Sequence, residues 1–264
     1  MNEPRTQSER LEYLIEAFKR ESFRYRELPM PGDEEGKRAL LRSLMNVRAP
    51  GELEPQALRV QNEYLREAIR EKGITSIKDL SPAEDGIYLW RGDITTLECD
   101  AIVNAANSGM TGCWVPCHNC IDNCIHTYAG VQLRQECAEL MEAQGHEEPT
   151  GQAKLTRAYN LPCRYVIHTV GPIVNGRLTK KHEQQLASCY RSCLQTAEEN
   201  GINSIAFCCI STGVFGFPQK RAAEIAVETV RECQAAAKSK IEVIFNVFKA
   251  DDHKIYRNLL GKHR

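Results

Sequence analysis

Hydrophobic residues recur at helical spacing along the first part of the chain, at positions i, i+3, i+4 and i+7. Three such stripes are formed by Leu11, Leu14, Ile15 and Phe18, by Leu40, Leu41, Leu44 and Met45, and by Leu58, Leu65 and Ile69. Turn-rich segments separate the stripes, and Gly73 stands where a glycine of positive φ ends many helices. The pattern predicts a small helical extension over residues 1–80.

The pattern changes from about residue 85, where short runs rich in Val, Ile and aromatic residues alternate with helical segments. The predicted strands are "GIYLW", "DAIVN", "RYVIHTV", "SIAFCCI" and "IEVIFNV". A helix is predicted from about Thr179 to Asn200, and Pro218 suits the first turn of the next helix. This alternation predicts an α/β sandwich with a mostly parallel or mixed central sheet over residues 81–264.

The composition is that of a globular protein with almost balanced charge. The 264 residues include 34 basic and 35 acidic ones, which leaves no electrostatic footprint of a nucleic-acid-binding protein. No apolar run approaches the roughly 18 residues of a membrane span, and the N-terminal segment lacks a secretory-signal pattern. We therefore expect a cytoplasmic protein with reduced thiols, and neither nucleic acid nor membrane as a partner.

Two glycine-containing loops follow predicted strands, "NAANSGMTGC" after "DAIV" and "STGVFGFP" after "SIAFCCI". Open α/β sheets bind ligands at the carboxyl ends of their strands, and amide groups leading into a helix favour phosphate. Neither loop has the lysine of a P-loop or the full glycine spacing of a dinucleotide-binding fold. Each loop could cradle phosphate or be simply a tight turn, and any site they form is expected to be of another kind.

A cluster of cysteine and histidine, "GCWVPCHNCIDNCIH", follows the first of these loops. Zinc is commonly held by thiolate and imidazole, with four protein ligands in structural sites and an open position in catalytic ones. Cys113, Cys117, Cys120 and Cys124 could supply four sulfurs. A helix beginning near Ile121 would instead turn Cys124 inward as a small buried hydrophobe.

Three separated motifs, "WRGDITTLECDAIVNAAN", "GPI" after "YVIHTV", and "STGVFGFP", together resemble the macrodomain family, which binds ADP-ribose. The inserted "GCWVPCHNCIDNCIHTYAG" resembles the zinc-dependent macrodomains, which are protein-ADP-ribose hydrolases. The resemblance extends over roughly residues 1–260, because that subfamily also carries a helical extension with a segment like "SLMNVRAP". It implies a three-layer α/β/α sandwich with a mixed central sheet.

The resemblance also implies roles for individual residues. Asp93 is expected to receive the adenine amino group, assisted by the Ile94 amide, and Asn107 is expected to meet the distal ribose and contribute to catalysis. Phe217 is expected near the distal ribose, and Phe248 is a weaker candidate for stacking on adenine. The pyrophosphate is expected within a loop formed by Ser211, Thr212, Gly213, Val214 and Phe215.

Each of these roles has a structural alternative. Asp93 could simply begin a turn, and Asn104 and Asn107 could satisfy their own backbone as asparagine often does. Phe215, Phe217 and Phe248 could be core aromatics; for Phe248 the core role is the favoured prediction.

For the metal, the resemblance implies one zinc ion held by Cys113, His118 and Cys120, with no requirement for Cys117. The alternatives are that Cys117 replaces one of these ligands or that the zinc is only structural. Asp122 and Asn123 are expected either to cap the helix that follows or to orient His118. His126 is predicted to be a core residue, with a position behind the ligands as the alternative.

The sequence hypothesis is a zinc-dependent hydrolase that removes mono-ADP-ribose from protein side chains, with an acidic side chain such as aspartate as the expected attachment. Its expected partners are ADP-ribose and an ADP-ribosylated protein. Three alternatives stay open: an ADP-ribose reader with a structural zinc, an O-acetyl-ADP-ribose deacetylase, and a zinc protein that recruits a partner through its helical extension. No residue is assigned as general base.

Overall fold

The computed structural model describes residue 4 and residues 6–236 and 240–261. Its N-terminal part contains three helices, α1 (Gln7–Arg20), α2 (Glu34–Val47) and α3 (Pro55–Lys72). A side chain caps each of them: Thr6 in a capping box, Asp33 and Glu54. The three predicted stripes turn inward, where most of their side chains are buried in a small core shared with Val131. Only Ile69 joins the main core.

The rest of the described chain is built around a mixed seven-stranded sheet with the order β2-β3-β9-β8-β5-β7-β6. Its strands are β2 (Pro82–Glu84), β3 (Ile87–Arg91), β5 (Ala101–Ala106), β6 (Ala153–Arg157), β7 (Tyr165–Val170), β8 (Ser204–Phe207) and β9 (Glu242–Val247). The five central strands run parallel, and the two edge strands are antiparallel to their neighbours. Two short segments, β1 (Thr75–Ser76) and β4 (Leu97–Glu98), pair separately.

Five helices flank the sheet: α4 (Ile121–Ala129), α5 (Val131–Gln144), α6 (Lys180–Glu199), α7 (Gln219–Ala236) and α8 (Ala250–Leu260). Helices α6, α7 and α8 pack in series, whereas α4 and α5 pack on each other and α4 meets α2 of the extension. The result is the predicted three-layer α/β/α sandwich. Within the described residues, every helix is too short or too polar to cross a membrane.

The predicted strands are confirmed, with one correction. "SIAFCCI" was expected to be extended through Ile210, but β8 ends at Phe207 and Cys208 begins the loop that follows. The next helix begins at Gln219, and the Pro218 carbonyl accepts the first helical hydrogen bond from Ala222, so Pro218 lies immediately before the first turn.

Candidate active site at the carboxyl edge of the sheet

The loops that follow β3, β9, β8 and β5 meet at one edge of the sheet, because these four strands are neighbours and parallel. They carry Asp93, Phe248, the segment 208–218 and the segment 107–120 respectively. The predicted ligand-binding residues therefore converge at the edge where open α/β sheets bind their ligands.

Asp93 begins a single 3-10 turn over Ile94–Thr96, as its turn-forming alternative predicted. One carboxylate oxygen accepts hydrogen bonds from the Thr95 amide and hydroxyl, at 3.0 and 2.6 Å. The other accepts a hydrogen bond from Lys72 Nζ at 2.9 Å. Burial raises the pKa of Asp93, but the bonds from Lys72 and Thr95 outweigh it, so the net pKa lies below its ordinary value. Ile94 itself is buried.

Phe248 lies beside Asp93 and is 78% exposed, so its favoured prediction as a core aromatic is wrong. It directly follows Val247, whose carbonyl accepts a hydrogen bond from the Gly92 amide, and Gly92 directly precedes Asp93. The Asn246 side chain also donates to the Gly92 carbonyl at 3.0 Å. The backbone of Phe248 thus lies next to the Asp93 turn, and its ring is exposed.

The loop after β8 is closed at its base and open at its tip. The Phe217 amide donates to the Ser211 carbonyl at 3.0 Å, and the Val174 amide donates to the Phe215 carbonyl at 2.8 Å. Ser211 adopts a positive φ of 65°, and its buried hydroxyl has no hydrogen-bond partner among the described residues. The hydrogen bonds of the described chain also leave the backbone amides of three successive residues unpaired, namely Gly213, Val214 and Phe215.

The side chains of this loop divide into two groups. Val214 at the tip is 79% exposed, whereas Phe217 is 2% exposed and packs in the main core. Phe217 therefore lies where its core alternative expects it. The Thr212 hydroxyl donates to the Cys209 carbonyl at 2.9 Å and stabilises the start of the turn.

Asn107 braces the loop after β5. Its Nδ2 donates to the Gly112 carbonyl at 3.1 Å and to Asp122 Oδ2 at 3.3 Å, while its Oδ1 accepts from the Gly109 amide at 3.0 Å. Both ends of the amide are thus bonded within the protein. The residue has a structural role in addition to any contact with ligand.

A buried chain of hydrogen bonds runs from Asn107 into the sheet. Asp122 accepts from Asn107 and, through Oδ1, from Asn104 Nδ2 at 2.8 Å; Asn104 Nδ2 also lies 3.1 Å from His168 Nδ1. His168 Nδ1 must accept here, so its Nε2 carries the proton toward Thr156 Oγ1 at 2.9 Å. Burial raises the pKa of Asp122 to about 6, against the effect of the two asparagine bonds, and lowers that of His168 to about 3.

The predicted metal ligands come together. One donor atom from each of Cys113, His118 and Cys120 lies within 4.8 Å of the other two, and Cys113 Sγ is 3.5 Å from His118 Nδ1. Two thiols and one imidazole form a donor set that zinc prefers. The residues therefore fit the ion that the resemblance implies, although metal binding itself stays a prediction.

The other two cysteines of the cluster point elsewhere. Cys117 Sγ lies 3.2 Å from Ser43 Oγ and donates to the Ala39 carbonyl at 3.3 Å, both on α2. Cys124 Sγ accepts from Arg42 at 3.6 Å and the residue is partly exposed, so its prediction as a small buried hydrophobe is wrong. The geometry does not support a site of four sulfurs.

Asp122 and Asn123, which follow the three donor residues in sequence, make different contacts from those predicted. Asp122 bonds Asn104 and Asn107, and Asn123 Nδ2 donates to the carbonyls of Cys113 and Val115. Neither side chain reaches the His118 ring through the hydrogen bonds described. Cys120 caps α4 by accepting from the Asn123 amide at 3.4 Å.

His126 is confirmed as a core residue; it is 5% exposed and lies against Gly112, where an added Cβ would be 2.8 Å from its ring. With Cys137 and His168 it forms a second group of possible metal ligands. Both nitrogens of His168 already have partners in Asn104 and Thr156. We therefore assign this second group to packing.

The sequence does not predict the contacts that the extension makes with the loop of the metal ligands and with α5. Arg42 and Asn46 on α2 bond to the loop that carries the metal ligands, and Arg134 on α5 donates to the last carbonyls of α2. The only signal was the segment "SLMNVRAP", which contains Asn46 and borders Arg42.

Known proteins resemble this chain in sequence over most of its length. A family model described as "Macro domain" matches residues 103–226. A "Protein-ADP-ribose hydrolase" of Treponema medium is 58% identical over 260 residues, covering 97% of this chain and 100% of that protein. A protein of the same name from Staphylococcus aureus is 48% identical over 255 residues, covering 96% of both chains.

Solved structures of macrodomains also resemble this chain. The Trypanosoma brucei macrodomain in complex with ADP-ribose is 33% identical, with a TM-score of 0.64, and the match covers 83% of this chain and 95% of that one. The Oceanobacillus iheyensis macrodomain with ADP is 37% identical, with a TM-score of 0.61, covering 66% of this chain and 89% of that one.

Proposed function

The chain belongs to the macrodomain family, and we propose that it is a protein-ADP-ribose hydrolase that removes single ADP-ribose units from acidic side chains with the help of zinc. The observation that carries the zinc proposal is the convergence of one donor atom each from Cys113, His118 and Cys120 within 4.8 Å. These donors belong to the loop that follows Asn107, beside the loops that carry the predicted ADP-ribose contacts.

The two ends of ADP-ribose are assigned to different loops. The Asp93 carboxylate is a hydrogen-bond acceptor for the adenine amino group, and the exposed Phe248 ring next to it offers a stacking surface. The unpaired amides of Gly213, Val214 and Phe215 suit the negative charge of a pyrophosphate. Contacts to these remote groups orient the scissile linkage for attack.

The hydrolytic end is assigned to the loop after β5. When bound, zinc supplies a Lewis acid that polarises an oxygen or lowers the pKa of a water molecule. Cys113, His118 and Cys120 would hold it, and Asn107 holds the same loop through its bond to the Gly112 carbonyl. Asp122 fixes the Asn107 amide so that its Nδ2 faces inward and its Oδ1 faces the Gly109 amide.

The charge of the site is compatible with an acidic attachment. Two thiolates and a neutral imidazole cancel the charge of Zn²⁺, so the site tolerates the carboxylate that leaves when an ester-linked ADP-ribose is released. A reader of ADP-ribose would need the Asp93 turn and the loop over 211–217 but no metal donors. Deacetylation of O-acetyl-ADP-ribose, another ester, is the second candidate, because the same pocket would accept it.

The test uses one protein mono-ADP-ribosylated on aspartate or glutamate and a second modified on arginine. Released ADP-ribose is measured before chelation, after chelation and after zinc is returned. We expect release from the acidic attachment only, lost on chelation and restored by zinc. Cys113→Ser should abolish release, and Cys233→Ser serves as the matched control because Cys233 lies on α7, outside the cysteine cluster.

Three results would contradict parts of the proposal. Full release after chelation would remove zinc from the mechanism. Equal release from the arginine attachment would remove the acidic specificity. Tight binding of ADP-ribose without release under any condition would favour the reader.

A further inference from the structure

The segment that carries the metal donors, here called the cysteine loop (residues 112–120), lacks regular secondary structure. Several of its hydrogen-bond partners come from α2 of the N-terminal extension, some 70 to 80 positions earlier in the chain. The extension therefore does more than cover the main core.

Arg42 on α2 makes the most extensive contact. Its Nη2 donates to the His118 carbonyl at 2.8 Å and to Asn123 Oδ1 at 2.8 Å, and its Nε donates to the same Oδ1 at 3.2 Å. The planar guanidinium can serve both acceptors at once, which an ammonium group does with less geometric control. Arg42 thus fixes the backbone at one of the three donor residues directly.

Asn123 extends this contact to the other end of the loop. While Arg42 holds its Oδ1, its Nδ2 donates to the Val115 carbonyl at 2.9 Å and to the Cys113 carbonyl at 3.4 Å. Its backbone amide donates to Cys120 Sγ at 3.4 Å. One side chain of α2 is therefore linked, directly or through Asn123, to each of Cys113, His118 and Cys120.

Asn46 and Ser43 hold the middle of the loop. Cys117 adopts a φ of 54°, which is unfavourable for a residue with a side chain. Its amide donates to Asn46 Oδ1 at 2.9 Å, and its Sγ lies 3.2 Å from Ser43 Oγ. Asn46 is 1% exposed and is itself anchored by donation to Thr127 Oγ1 at 3.0 Å. These bonds stabilise the strained turn between Cys113 and His118.

We propose that α2 is a positioning element of the zinc site, in which Arg42 holds the cysteine loop in its metal-binding conformation. The inference rests on the proposed zinc site and assigns the extension a role in it. A loop held in its bound shape loses less conformational entropy when it binds a ligand. Removal of a residue that orients metal ligands through hydrogen bonds typically lowers metal affinity by about 10- to 100-fold.

The test measures metal affinity rather than activity. Cobalt(II) is titrated into the metal-free protein in competition with a chelator, and thiolate-to-cobalt absorption reports occupancy. The variants are Arg42→Ala and Arg42→Lys, which keeps the charge and the aliphatic stem. Arg38→Ala is the matched control, because Arg38 lies one turn earlier on α2, is 59% exposed and pairs only with Glu34 in the contacts described.

We expect Arg42→Ala to weaken cobalt binding by about 10- to 100-fold, Arg42→Lys to weaken it less, and Arg38→Ala to leave it unchanged. The thermal midpoint is measured with and without metal, because a bound ligand adds stability that depends on its affinity. A positioning role predicts that the increment from metal shrinks in the Arg42 variants. A purely structural role predicts equal loss in both states and an unchanged increment.

The outcomes separate the two proposals. If the wild-type protein shows no thiolate-to-cobalt absorption, the zinc site itself fails. If the wild-type protein binds and both Arg42 variants bind within twofold of it, the zinc site stands and the role of α2 is refuted. If Arg42→Ala does not fold, the cobalt affinity of Arg42→Lys is compared with that of the wild-type protein. Weaker binding then supports the role of α2, and binding within twofold refutes it.

Discussion

Arg134 is one of the side chains through which the main domain holds the extension, and its replacement by methionine should weaken that attachment. It is 5% exposed, and its Nη1 donates to the carbonyls of Arg48, Asn46 and Met45 at 2.7, 2.8 and 3.3 Å. These carbonyls lie at the end of α2. The last carbonyls of a helix have no backbone amide within the helix to donate to them. The Arg134 guanidinium also lies 4.2 Å from the ring of Trp114 in the cysteine loop.

The magnitude follows from two opposing effects. Methionine would leave two buried carbonyls and one partly buried carbonyl without this donor, at a cost of about 1–3 kcal/mol each. Against this, burial lowers the pKa of Arg134 to about 10, which corresponds to about 3 kcal/mol of penalty on the charged group. Methionine does not carry that penalty. With about 2 kcal/mol for each carbonyl, the difference predicts that Arg134→Met lowers the free energy of unfolding by about 3 kcal/mol.

Urea unfolding followed by circular dichroism measures this change, with Arg164→Met as the control. Arg164 also lies outside the extension, but its side chain is 63% exposed and its ion pair with Asp100 spans 3.5 Å. Such a surface pair should contribute less than about 1 kcal/mol. A loss below about 1 kcal/mol for Arg134→Met would show that the carbonyls of α2 find other partners, and the reasoning would be refuted.

Three further predictions concern the ligand loops. Lys72→Met should raise the pKa of Asp93, because the hydrogen bond from Lys72 lowers it; the stability that Asp93 contributes, lost as pH falls through its folded pKa, would then be lost at higher pH. Carboxyl NMR titration and unfolding at several pH values check this. Phe248→Ala should weaken ADP-ribose binding by about 1–3 kcal/mol in calorimetry, if the ring stacks on adenine. Phe217→Ala should lower the free energy of unfolding by about 3–5 kcal/mol, as expected for a core aromatic.

The elements that the sequence predicts well are those with a buried face. The three stripes of the extension and the five central strands bury one face or both, so their apolar residues recur with the period of the element. The edge strands β2 and β6 escaped prediction, since each is short or polar on one side. Cys208 and Ile210 are apolar and buried but lie in a loop, so hydrophobicity alone placed them wrongly in a strand.

The site is predictable where its residues are close in sequence. Cys113, His118 and Cys120 lie within eight positions, and their convergence needs only one loop to close. The contact of Arg42 with Asn123 joins residues 81 positions apart, and neither residue type nor spacing indicates it. Exposure was also unpredictable for aromatics: Phe217 follows Gly216 in a loop and is buried, whereas Phe248 follows the buried Val247 and is exposed.

The same side chains shape the loops and face the ligand, and this limits how single substitutions can be interpreted. Asp93 both caps a turn and pairs with Lys72, while Asn107 joins the Gly109 amide, the Gly112 carbonyl and Asp122. Removing the Asn107 amide would therefore free the loop that leads to Cys113 as well as remove a ligand contact. Gly112, which accepts the hydrogen bond from Asn107, directly precedes the metal donor Cys113. A loss of turnover in an Asn107 variant would therefore assign Asn107 to catalysis only if the variant bound metal as tightly as the wild-type protein.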